Sequence, residues 1–153
     1  MRLVEILPVE RVVVRLDARD KPGSLRELAR VFAQGDARLS EPEVLRVLEA
    51  REALASTGVG SGVAIPHGRL PGLGELQAAL AIAPSGVSFD AIDGLPATIF
   101  VALLAPGDAR SDHLKALARI SRLLRDEAVR TRLLAAPDAA ALLEIVREED
   151  DRH

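Results

Sequence analysis

Hydrophobic and polar positions alternate in blocks along this chain, and the blocks change period three times. Val12, Val13, Val14 and Leu16 form a short β-branched run that reads as a first strand. Asp20–Ser24 is turn material, and Ser24 followed by Glu27 is a capping-box pattern for a helix through about Gln34. Leu25, Leu28, Ala29 and Phe32 share one face of that helix, with Gly35 at its exit. Ser40 with Glu43 repeats the capping pattern, and Pro42 is tolerated in a first turn. This second helix is expected to reach about Ala55, with Val44, Val47, Leu48 and Ala55 as its buried stripe.

The middle of the chain reads as strands. Val63–Ile65 is a short one, Pro71–Gly74 a loop, Leu76–Ala83 a longer strand and Val87–Phe89 a brief extended piece. Phe89–Gly94 is a turn carrying two acids. Thr98–Leu104 is a continuous apolar run, the pattern of a strand buried on both faces, and Pro106-Gly107-Asp108 ends it. The last third is helical. One helix capped by Ser111 or Asp112 carries His113, Leu114, Leu117, Ile120 and Leu124; Val129–Leu134 is another. A last helix starts at Pro137-Asp138 and runs through Leu142, Ile145 and Val146, and Glu148–Asp151 reads as a solvated, frayed tail. The order β-α-α-β-β-β-α-α-α favours one layered α/β domain with a mixed sheet.

Composition narrows the function. At 153 residues the chain is long enough for one real core. Aromatics are 2%, with no Trp or Tyr, so the core is aliphatic and base-stacking recognition of single strands is disfavoured. A net charge of −3 gives no basic footprint for duplex nucleic acid. Without cysteine neither a disulfide framework nor a thiolate zinc site can form. The N-terminus lacks the layout of a signal peptide. The longest apolar run, Ala97–Ala105, is too short to span a bilayer, so a soluble cytoplasmic protein without membrane insertion is expected.

The stretch Gly58-Val59-Gly60-Ser61-Gly62-Val63-Ala64-Ile65-Pro66-His67-Gly68 concentrates the candidate chemistry. Pro66 pushes Ile65 into extended geometry and Gly68 has no Cβ to shield its neighbour, so His67 stands where a large group can approach. An imidazole beside amide-rich backbone suggests chemistry on an anion. Arg51 lies on the apolar stripe of the second helix; a snorkelling rim residue is its ordinary role, and an inward oxyanion contact beside His67 the functional one. His113 sits in the first turn of its helix, where the dipole favours anions. Taken singly, either histidine reads first as a hydrogen-bonded structural residue. His153 is terminal and is set aside as a bystander. Asp90, Asp93 or Asp112 with the histidines could ligate a metal, the route to a metal-dependent hydrolase. No HxH, HxxxH or HExxH spacing is present, however, and no metal is expected. Gly60-Ser61-Gly62 lacks the GxSxG elbow, and no Walker or dinucleotide motif follows it.

The run Ser56–Gly68 closely resembles the active-site signature of type-2 EIIA domains of the bacterial phosphoenolpyruvate phosphotransferase system, in its fructose/mannitol and nitrogen-regulatory branches. Arg51-Glu52, Phe89–Asp93, Phe100–Pro106 and Asp112-His113-Leu114 extend the resemblance over about Leu7 to Val146. It implies a single α/β/α three-layer domain acting as a phosphocarrier without a cofactor. His67 would accept the phosphoryl group on Nε2, His113 assist, Arg51 stabilise the phosphate, and Gly58, Gly60, Ser61 and Gly62 form a phosphate loop. The implied donor is a histidine phosphocarrier protein of the HPr or NPr kind. The implied recipients are regulated target proteins or an EIIB domain of a membrane permease. Ser61 departs from the asparagine of many nitrogen-type members. The one-domain length, with no fused permease, tilts the expectation towards regulation.

Overall fold

Two long apolar runs set the architecture. In the computed structural model, which describes residues 1–152, they are the strands β5 (Gln77–Val87) and β6 (Ala97–Pro106), paired antiparallel. With β1 (Val12–Val13), β2 (Gly58–Gly60), β3 (Val63–Ala64) and β4 (His67–Leu70) they make a six-stranded mixed sheet in the order β1-β5-β6-β3-β2. β3 and β4 both run parallel to β6 along the same edge, so Val63 lies opposite Ile99 and His67 opposite Leu103.

The period of two divides these runs between two cores. Leu80, Ile82, Ile99, Val101 and Leu103 face one side, with Ile120, Leu124, Leu133, Leu142 and Val146. These last come from α3 (Arg110–Arg125), α4 (Glu127–Ala135) and α5 (Ala139–Arg152). Ala79, Ala81, Phe100, Ala102 and Leu104 face the other, against Leu28, Phe32, Val44 and Leu48 of α1 (Lys21–Gly35) and α2 (Glu41–Leu54). The result is the expected three-layer α/β/α fold.

Several details differ from the sequence reading. Five strands, not three, separate α2 from α3, because the glycine stretch itself pairs: β2 runs antiparallel to β3, and Pro66 divides β3 from β4. The brief extended piece at Val87 is the end of β5. The first cap is Asp20, whose Oδ1 accepts from the Gly23 amide at 2.7 Å, so α1 begins a turn early and Ser24 lies inside it. Glu27 accepts instead from the Asp17 and Ala18 amides. Ser40 caps α2 as expected, but Ala55 is its exposed C-cap rather than part of the stripe. Neither Ser111 nor Asp112 caps α3, which Arg110 opens.

The largest departure is the acidic end. Glu148–Asp151 is not a frayed tail but the last turns of α5, with Glu149 and Asp150 buried. The Asp150 carboxylate accepts from the Leu3 amide at 3.0 Å, the Val4 amide at 2.9 Å and Arg119 Nε at 3.1 Å. A carboxylate with three donors is satisfied in the interior, and helical spacing from Leu142 and Val146 carries position 150 inward. Arg2 also pairs with Asp151. His153 lies outside the described residues, and among these no helix is long and apolar enough to cross a membrane.

Candidate active site

Three elements converge on His67. Pro66 uses its carbonyl to accept from the Leu103 amide at 2.9 Å, which fixes where β4 starts beside β6. Gly68 is buried against α2: a Cβ there would stand 2.4 Å from Val47 Cγ1, so only glycine lets helix and strand approach this closely. That approach brings Arg51, on the same face of α2 as Val47, alongside His67. From the other side, β6 ends at Pro106 and the chain turns into α3, placing the His113 ring 5.4 Å from the His67 ring, centre to centre, at 73°.

His67 Nδ1 lies 2.7 Å from the Ile65 carbonyl oxygen. A carbonyl only accepts, so Nδ1 carries the proton and the neutral ring presents its lone pair at Nε2. Burial pushes the pKa of His67 below the ordinary value; the Ile65 bond opposes this, the Arg51 charge adds to it and Glu52 opposes it. His113 is lowered too, first by burial and then by the His67 and Arg69 charges. Its Nε2 is buried with no hydrogen-bond partner among the described residues. Both imidazoles are thus held towards their neutral forms. They open onto a hollow of about 640 Å³ that also meets Arg51, Arg69 and Arg110. Its apolar wall includes Leu54 and Leu114, which are 81% and 62% exposed. Arg51 Nη1 donates to the Ala55 carbonyl at 2.9 Å, which steadies the guanidinium at the end of α2.

The glycine loop does not join this hollow. Gly60, Ser61 and Gly62 are all left-handed, with φ of 97°, 57° and 79°, and they turn the chain from β2 into β3. The Ser61 amide donates to Asp93 Oδ2 at 2.8 Å, and the Gly62 carbonyl accepts from the Thr98 and Ile99 amides. The turn therefore sits at the start of β6, four residues before the partner of His67, or about 13 Å at ~3.3 Å per residue. Gly58, Gly60, Ser61 and Gly62 are not brought to His67. The extended run Val63–Pro66 separates them, and the chain's own carboxylate occupies the Ser61 amide.

The sequence pattern of the family described as phosphoenolpyruvate-dependent sugar phosphotransferase system, EIIA 2, matches residues 5–149. The chain belongs to this EIIA family. It is similar to a nitrogen regulatory protein of Bradyrhizobium diazoefficiens, 40% identical over 95% of each chain. A fructose-specific EIIA component of Haloferax volcanii is 31% identical, over 94% of this chain and 93% of that one. Among solved structures, the nitrogen regulatory protein IIA-Ntr of Neisseria meningitidis superposes with a TM-score of 0.88 at 33% identity, covering 94% of this chain and 98% of that one.

The His67 hollow rests on a buried support that residue patterns alone did not reveal. Glu52, next to Arg51, accepts from the Thr57 amide at 2.9 Å and from its hydroxyl, and pairs with Lys21 Nζ at 2.7 Å. Lys21 reaches on to Asp90 at 3.2 Å and lies over the Phe89 ring. The end of α2 is thereby fastened to the start of β2 and to the turn after β5. Arg69 and Arg110 were also missed, although a signal existed. Arg69 is two residues beyond His67 on a strand, and Arg110 three before His113 on a helix, so each shares a face with its histidine.

Proposed function

We propose that this chain is a nitrogen-type EIIA phosphocarrier in which His67 Nε2 accepts a phosphoryl group from a histidine phosphocarrier protein of the HPr or NPr kind. The carrying observation is the Nδ1–Ile65 bond, which leaves Nε2 as the nucleophilic nitrogen of a neutral ring at the mouth of an arginine-lined hollow. In the transfer the donor's N–P bond breaks as the Nε2–P bond forms, through a loose transition state with charge on the equatorial oxygens. The attacked ring becomes more positive, and the Ile65 carbonyl on Nδ1–H stabilises it. Arg51 offers its remaining donors to the phosphoryl oxygens. His113, with its unpartnered Nε2, assists from the edge of the ring; no cofactor is needed.

The nitrogen-type reading is favoured by the higher identity to a nitrogen regulatory protein than to a fructose-specific component. In this reading the phosphorylation state selects regulated target proteins. In the sugar branch the phosphoryl group would pass to an EIIB domain of a permease. Intact mass after incubation with phosphoenolpyruvate, the first phosphotransferase enzyme and the carrier protein tests the proposal. One acid-labile phosphoryl group is expected on the wild type and none on folded His67→Ala. Normal labelling of that variant would refute the assignment. Adding an EIIB domain then separates the branches, since rapid discharge marks the sugar branch and retention the regulatory one.

A further inference from the structure

We propose that the glycine turn lines a second binding site, separate from His67, for a small organic carboxylate on a short hydrocarbon chain. Between the edge strand β2 and the C-terminal end of α3 lies a hollow of about 280 Å³. Its apolar lining is Val59, Val63, Ile65 and Leu124, with Val59 54% exposed. Its polar lining is the hydroxyl residues Ser61 and Ser121 and two guanidiniums, Arg125 and Arg130.

Arg130 is the fixed part. Its Nη1 donates to the Leu124 carbonyl at 2.9 Å and to the Arg125 carbonyl at 2.8 Å, so the helix end that attracts cations holds the group in place. Only one of its nitrogens is used in these bonds. Among the described residues neither Arg125 nor Arg130 is paired with a carboxylate. Two such cations beside one hollow call for an anion, and a guanidinium edge suits a carboxylate, which it grips with two parallel bonds.

The apolar lining selects among anions. A bare phosphate would lose water against four hydrocarbon side chains without a compensating bond. It would also find the Ser61 amide, the turn's most directed donor, already bonded to Asp93. A carboxylate with a few carbons covers that lining while its charged end meets the arginines. The volume falls just below the roughly 300–1,000 Å³ usual for small-molecule sites, which sets a short chain. The site does not depend on the role of His67, although the two touch one residue in common: the Ile65 side chain lines this hollow while its carbonyl holds His67 Nδ1.

Titration of the ¹⁵N-labelled protein with 3-methylbutanoate tests the proposal. Saturable shifts are expected at the amides of Gly60, Ser61, Gly62 and Ser121, with those of Gly68 and His113 unmoved. Arg125→Gln should weaken binding about tenfold or more, as loss of a charged hydrogen bond does. Ser121→Leu, which fills the hollow and keeps both arginines, should abolish it. The proposal is overturned if no shifts saturate, if they centre on Gly68 and His113, if inorganic phosphate binds equally well at this turn, or if both variants bind like the wild type.

Discussion

The two ends of the segment from Gly58 to Leu70 look alike in sequence and differ in what they leave open. Each has glycine, and each offers polar groups suited to an anion. At the glycine turn the Ser61 amide is already taken by Asp93, and the Gly62 carbonyl by two amides of β6. At the histidine end, only Nδ1 is tied, and Nε2 stands before three guanidiniums. Glycine serves different purposes at the two ends: left-handed backbone in the turn, and close helix approach at Gly68. A glycine-rich run therefore marks where the chain must bend or pack, and only the polar groups it leaves free decide where chemistry happens.

Glu52→Ala should break both ends at once, because Glu52 ties α2 to the start of β2. Removing this carboxylate leaves the buried Thr57 amide and hydroxyl without their acceptor and Lys21 with Asp90 alone, at a cost of about 1–3 kcal/mol. Urea unfolding measures it, and a loss below ~1 kcal/mol would mean the support is not structural. Arg51→Ala should separate the ends. Phosphoryl acceptance is expected to slow about 10²-fold, as when one transition-state donor is lost, with the urea midpoint nearly unchanged. A wild-type rate would remove Arg51 from the site. Asp93→Asn should do the converse, lowering the urea midpoint modestly while acceptance keeps its wild-type rate. If acceptance falls instead, the turn and the histidine are coupled after all.

The smallest effect is that of pH. Both imidazoles titrate below their ordinary value of about 6.5 when folded. On acidification the unfolded chain therefore takes up protons first. Their contribution to stability is complete above about pH 6.5 and declines as pH falls through the folded values. The decline should be shallower in His67→Gln. Acceptance should likewise persist somewhat below pH 6.5, because Nε2 keeps its lone pair there. A His67 resonance titrating at or above 6.5 would contradict both expectations.

Much of this was legible in local spacing. The apolar runs of β5 and β6, the Ser40 cap and the start of α5 follow from neighbours a few residues apart. So does His67, placed by Pro66 and Gly68, and His113 at the opening of a helix. What escaped depends on partners far along the chain. Asp93 meets Ser61 across 32 residues, and Asp150 meets Leu3 across 147. Nothing in the acidic run near the end distinguishes a carboxylate that faces water from one whose donors arrive from the other terminus. The cap of α1 escaped although it is local, because Glu27, whose spacing pointed to Ser24, bonds the Asp17 and Ala18 amides and Asp20 caps the helix a turn earlier.

The bonds from Leu3 and Val4 to Asp150 also make the chain nearly a closed loop, with its first and last turns in contact. In such a molecule the cyclic order of the elements matters more than the place where the loop is cut. A short flexible linker could join the ends, and new ends could be opened at the exposed Gly74–Glu75 connection between β4 and β5. Such a circular permutant keeps every strand pairing and both hollows. Its termini would emerge beside the sheet rather than at the end of α5, a different handle for attaching this domain to another protein or to a surface.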